Sequence, residues 1–267
     1  MPPGVLQSAG QLPARISYHS RDTAFRDQIT LCAPCRGGIL KLRAAARSIA
    51  ERVNVMSTIR AVPCRCSVCG AESKQKFLVS TNAFGSPDLD LRPPEMQRST
   101  MSCWLQVCPQ CGYVAKLIGG AARADREWLN SETYRTCGGV PVQNPLGKRF
   151  LKYYLTARQR QDWQAALYGA KCAAWACDDA DEPQVASVCR LLAVEAMEQL
   201  PQDAMDENLQ LQKLDLLRRA GQFETVLQEG GKLRFTEPLM QKILQFQLAK
   251  AQQGDTACYR LADADAL

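Results

Sequence analysis

Cys66-Ser-Val-Cys69-Gly70 and Cys108-Pro-Gln-Cys111-Gly112-Tyr113 decide how this chain reads, with 38 residues between Cys69 and Cys108. Each is a C-x-x-C-G knuckle. Two residues between the cysteines let a tight turn aim both sulfurs at one ion, and the glycine that follows accepts the positive φ such a turn tends to require. Two knuckles supply four thiolates, a closed tetrahedral set suited to zinc, with iron as the alternative because the same sulfurs hold it equally well. Four protein ligands leave no open position for water, so the expected role of the ion is structural. Cys66, Cys69, Cys108 and Cys111 are the expected ligands, and Cys64 is an alternate sulfur through Cys64-Arg65-Cys66.

Working outward, strand patterns flank the knuckles. Lys76 to Ser80 reads as one strand; Thr100 to Val107 alternates, with Met101, Cys103, Leu105 and Val107 on one face; Tyr113 to Ile118 continues after the second knuckle. That order is a zinc-ribbon arrangement. The stretch from Ala61 to Gly120 is rich in Ser, Pro and polar groups, and a core of that size is marginal without a cross-link or an ion.

Between the knuckles runs Phe84-Gly-Ser-Pro-Asp88-Leu-Asp90-Leu-Arg92-Pro-Pro-Glu95-Met-Gln-Arg98. Such a charged, proline-stiffened loop forms an ion-pair network or a binding surface, and paired carboxylates also serve as acid and base or as ligands for a hard cation. Asp88, Asp90, Arg92, Glu95 and Arg98 are the candidate ligand surface; no catalytic residue is assigned.

From Leu146 the period becomes helical. Phe150, Leu151, Tyr154 and Leu155 share a face, followed by Trp163, Ala166, Leu167, Ala170 and Ala174. Asp181-Glu182-Pro183 and Thr236-Glu237-Pro238 each place a capping residue and an early proline where helices begin. Helices are expected over 183–199, 206–220, 222–230 and 237–252, with a short one from Asp255. Gly221-Gln222 and Gly254-Asp255 lie 33 residues apart, near the tetratricopeptide period, so the half reads as a short α-solenoid or an irregular bundle.

Charge divides the chain again. Residues 1–55 hold eight of the 33 Lys/Arg and three of the 27 Asp/Glu, so most of the net charge of +6 resides there. The single histidine, His19, lies there too, which excludes Ser-His-Asp, Cys-His or histidine-ligated chemistry from the rest. This segment reads as poorly ordered or over-extended, with Met56 as an alternative start. It also holds an isolated Cys32-Ala-Pro-Cys35 and a basic amphipathic pattern from Ile39 to Val53. No apolar run approaches the roughly 20 residues that span a bilayer, and no apolar signal segment opens the chain. A reducing, cytoplasmic compartment is therefore expected, where paired cysteines bind metal. Cys137, Cys172, Cys177, Cys189 and Cys258 are isolated, and those in helical patterns read as small buried hydrophobes.

The first knuckle, the loop Ser86-Pro87-Asp88-Leu89-Asp90-Leu91-Arg92-Pro93-Pro94-Glu95-Met96, the second knuckle and the helical tail together resemble the bacterial family called domain of unknown function 2225. The resemblance runs from Val62 to the end. It implies a metal-binding ribbon joined to tetratricopeptide-like helices in a bacterial cytoplasmic protein, and implies no activity.

The expected fold is α+β: residues 1–55, then a small zinc-ribbon-like β domain over 56–142, then an all-α tetratricopeptide-like region over 143–267. The expected function is a zinc-binding, non-enzymatic protein-interaction scaffold whose helical half docks a protein partner, with no membrane association. A nucleic-acid-binding ribbon and a rubredoxin-like iron electron carrier are the alternatives. Ten Lys/Arg against seven Asp/Glu over 56–142 is a weak footprint for nucleic acid.

Overall fold

The computed structural model describes residues 57–265, all within one compact unit. Expectations for residues 1–55 and for the start at Met56 lie outside the described residues. Two small antiparallel sheets come first. β1 (Ser57–Arg65) pairs with β2 (Glu72–Thr81), and β3 (Gln106–Val107) pairs with β4 (Val114–Ala115). Each knuckle is the turn of one of these hairpins. One polar side chain ties the hairpins together, Gln75 donating to the Val107 carbonyl at 3.0 Å, while Gln106 Oε1 accepts from the Ile118 N–H at 3.0 Å within the second.

Two expected strands are shorter than the alternation implied. Arg98–Cys103 is a 3₁₀ helix, and only Gln106–Val107 of the stretch after Thr100 pairs as a strand. The Thr100 hydroxyl donates to the Gln97 carbonyl at 2.7 Å and accepts from Trp104 Nε1 at 2.9 Å, closing the turn locally. Met101, Cys103 and Leu105 are still buried, so the apolar positions were read correctly and the backbone was not. Tyr113 to Ile118 reduces to Val114–Ala115 because a ladder cannot outrun a two-residue partner.

After two short helices, α1 (Arg126–Asn130) and α2 (Glu132–Arg135), come α3 (Pro145–Gln159), α4 (Trp163–Asp179), α5 (Pro183–Glu198), α6 (Glu207–Arg219), α7 (Phe223–Gly230), α8 (Pro238–Gln252) and α9 (Leu261–Asp265). Four of them, α5 to α8, follow the expected ranges closely. The last begins at Leu261 rather than near Asp255, because residues 255–260 run extended and join the loop: Leu89 N–H bonds to the Tyr259 carbonyl at 2.9 Å and Leu261 N–H to the Pro87 carbonyl at 2.9 Å.

Four helices end the same way. At α3, α4, α6 and α8 a left-handed residue, Gln161, Asp181, Gly221 or Gly254, is followed by an N–H that reaches back five residues: Asp162 to Ala157, Glu182 to Cys177, Gln222 to Leu217 and Asp255 to Lys250. This is the Schellman closure, which satisfies carbonyls the helix leaves unpaired. Asp181 thus ends α4 instead of capping α5. Glu182 accepts from the backbone N–H groups of Gln143 and Asn144, at 3.2 and 2.7 Å, and so holds the entry of α3.

Short connections make α3, α4 and α5 successive antiparallel neighbours. Gly169 permits the closest approach: a Cβ there would lie 2.9 Å from the Tyr154 nitrogen on α3. The main core runs through these helices and takes in Leu89, Met101, Leu105 and Val114 from the β-rich segment. Burying side chains of the size of these leucines and this methionine contributes about 1.5–3 kcal/mol each. Among the described residues, no helix is long and apolar enough to cross a membrane.

Candidate metal centre

The two knuckles repeat one another bond for bond. Cys66 N–H donates to the Ala71 carbonyl at 2.8 Å, and Cys108 N–H to the Tyr113 carbonyl at 2.9 Å. Gly70 N–H donates to the Cys66 carbonyl at 2.8 Å, and Gly112 N–H to the Cys108 carbonyl at 2.9 Å. Gly70 and Gly112 have φ of 78° and 71°, the left-handed backbone that the turn demands and that glycine takes without a Cβ penalty.

These turns face each other and bring four sulfurs together. The Sγ atoms of Cys66, Cys69, Cys108 and Cys111 all lie within 4.8 Å of one another, with Cys69 and Cys108 3.5 Å apart and Cys66 and Cys111 3.8 Å apart. A tetrahedral ion with metal–sulfur bonds of about 2.3 Å has edges of about 3.8 Å, so the donor set fits a thiolate-bound ion in both number and span. The four-cysteine group can hold a metal ion. Cys64 stands apart, its thiol 4.0 Å from Gln106 Oε1, and does not belong to the group.

The surroundings favour an ion-bound, positioned set. The backbone N–H of Ala71 holds the Cys69 thiol down to about 7, while burial pushes the Cys66 and Cys111 thiols up. A cation offsets the charge that four such thiolates would carry. Tyr113, Ala115, Ile118, Leu129 and Tyr134 pack around the cysteines as a small core of their own, and the Tyr134 hydroxyl donates to the Gly112 carbonyl at 2.8 Å. Cys66 and Cys108 are buried, whereas Cys69 and Cys111 are half-buried beside a surface depression of about 610 Å³ that Arg126 and Asn130 also line.

The charged loop lies elsewhere, and mostly inside. Asp90, Asp88 and Arg92 are buried at 0%, 2% and 5% exposure. Asp90 accepts from Trp175 Nε1 at 2.7 Å and from Arg219 at 3.0 Å. Arg92 pairs with Asp179 at 2.5 Å, and Arg98, half-buried, pairs with Asp88 at 2.6 Å. Asp178 bridges Arg190 and Arg219, the latter at 2.7 Å. Glu95 is the exposed member and accepts from Ser99 at 2.7 Å. The loop's charges therefore join it to α4 and α6; of the five candidate surface residues only Glu95, and in part Arg98, face solvent.

Sequence reasoning missed the helical half of this network. One signal was present: Asp178-Asp179 close α4, where acidic side chains oppose the helix dipole, which implies cationic partners from another element.

Comparison with family models, curated proteins and solved structures finds no match to this chain.

Proposed function

We propose that this chain is a zinc-binding cytoplasmic protein acting as a non-enzymatic scaffold for a protein partner, built as a zinc-ribbon-like module joined to tetratricopeptide-like helices. The observation that carries the reading is the four-sulfur group, whose number and spacing fill a tetrahedral sphere and leave no protein-defined open position for water. Zinc fits such an all-thiolate, structurally closed site without redox chemistry.

The carboxylates buried deeply enough for acid–base work are already engaged: Asp88 by Arg98, Asp90 by Arg219 and Asp215 by Arg218. That arrangement favours a structural over a catalytic role for them. The antiparallel helices, the repeated Schellman closures and the close approach at Gly169 support tetratricopeptide-like geometry. The resemblance to domain of unknown function 2225 favours the same combination. On α5, Val188 and Leu191 lie three residues apart and are 39% and 38% exposed, an apolar spot suited to a partner.

Affinity capture with the full chain tests the reading. A protein retained by the wild type and lost with Val188→Glu/Leu191→Glu, under nuclease treatment, supports the scaffold. Retention that disappears with nuclease alone replaces it with the nucleic-acid reading.

A further inference from the structure

A cleft of about 640 Å³ lies where the loop and β2 meet α4 and α6, away from the four cysteines. That volume is in the range of small-molecule sites. Its floor is aromatic: Trp104 and Trp175 meet edge to face with centroids 6.5 Å apart, and Tyr168 lies along the same wall. Both indole N–H groups are used inside the protein, Trp104 on Thr100 and Trp175 on Asp90, which locks the rings in place.

The charge of the lining has one sign. Lys171 and Lys116 both line the cleft, and no carboxylate does. Among the described residues Lys171 donates to a neutral acceptor, Gln212 Oε1 at 2.6 Å, and no carboxylate lies within 4.0 Å of its ammonium. The neighbouring arginines differ: Arg190, Arg218 and Arg219 take up Asp178, Asp215 and Asp90. Lys171 thus makes no ion pair of its own: Asp90 and Asp215 act on it only at longer range and are already paired with Arg219 and Arg218, and its ammonium stands 5.5 Å from the Trp175 ring centre. Desolvation lowers its pKa, a cost that an anionic ligand would reverse.

The loop contributes strain at the rim. Leu91 has φ of 61° and is 42% exposed while lining the cleft, an unfavourable backbone held for an unburied apolar side chain.

We infer that this cleft binds a small aromatic carboxylate, its ring lying on Trp104, Trp175 and Tyr168 and its carboxylate paired with Lys171. One ammonium beside one amide suits a carboxylate, which takes few donors. The inference is independent of the metal centre.

Naphthoate and its uncharged isostere naphthamide, titrated calorimetrically into the full chain, separate charge from shape. Naphthoate is expected to bind one per chain and at least about tenfold more tightly than naphthamide. Lys171→Met should remove that preference and Lys171→Arg should keep most of it. Gln164→Trp, which places bulk at the mouth from α4, should block both compounds, and it tests the site even if Lys171→Met fails to fold. Equal affinity for the two compounds, or naphthoate binding unaffected by Gln164→Trp, overturns the inference.

Discussion

Trp175 donates its indole N–H to Asp90 Oδ2 at 2.7 Å across 85 positions of sequence, and through that bond the loop between the knuckles is fastened to the middle of the helical half. Arg219 meets the same oxygen from α6 at 3.0 Å, so one buried carboxylate ties three segments. Removing Asp90 leaves Arg219 with Asp178 alone in a buried site. Asp90→Ala should cost about 3–5 kcal/mol, and Trp175→Phe, which deletes only the N–H, about 1.5–3 kcal/mol. Urea unfolding of the two variants measures both. An Asp90→Ala cost within 0.5 kcal/mol of zero, as for an ordinary surface change, contradicts the tie.

The same carboxylate makes stability depend on pH with a definite sign. Burial raises the pKa of Asp90, but the charges of Arg219 and Lys171 and the Trp175 N–H outweigh it and hold the group below its ordinary value. A depressed folded pKa contributes stability above the unfolded value of about 3.9, and that contribution is lost as pH falls through the folded value. The stability gap between wild type and Asp90→Asn should stay constant above about pH 5 and narrow below about pH 4. A gap that widens on acidification has the opposite sign and rejects this account of Asp90.

The two cores predict a local response to chelation. The cysteines sit in a small cluster with Tyr113, Ile118 and Tyr134, whereas Leu89, Met101 and Leu105 pack into the helices. Stripping the metal should raise amide exchange at Gly70 and Gly112, whose N–H groups close the knuckles, and leave α3 to α6 protected. Exchange that rises equally in the helices shows a single cooperative unit instead.

Gly169 reverses the usual rule for glycine in a helix. Replacing a helical glycine by alanine ordinarily stabilises by about 1 kcal/mol. At Gly169 the new Cβ would fall 2.9 Å from the Tyr154 nitrogen and 3.0 Å from its Cα, and backbone cannot step aside. Gly169→Ala should therefore destabilise by about 1–3 kcal/mol in thermal unfolding, the cost of overpacking. A raised melting temperature would falsify the close packing of α3 on α4.

What the sequence made legible follows from range. Local signals held: the prolines at Pro183 and Pro238 open helices, the Phe150, Leu151, Tyr154 and Leu155 face is buried, and the two C-x-x-C-G turns face one another. β1 escaped notice because most of it is exposed and it carries Pro63 and two arginines, so it has no alternating apolar face. Thr100 to Val107 misled because a short apolar alternation also fits a 3₁₀ turn followed by a brief strand. The hydrogen bond and ion pair of Asp90 were invisible because Trp175 and Arg219 lie 85 and 129 positions away, and no local pattern encodes such a distance. The charged loop read as a surface; the structure turns its charges inward and leaves Leu91 and Pro93 to line the cleft.

Metal content of the purified chain, measured by elemental analysis for the wild type and for Cys108→Ser, bears most directly on the central claim. The four-sulfur geometry predicts about one metal ion per wild-type chain, lost for the most part in Cys108→Ser, and the proposed zinc reading predicts a colourless protein. One iron per chain in a red protein would contradict zinc, and undiminished metal in Cys108→Ser would contradict the ligand set itself.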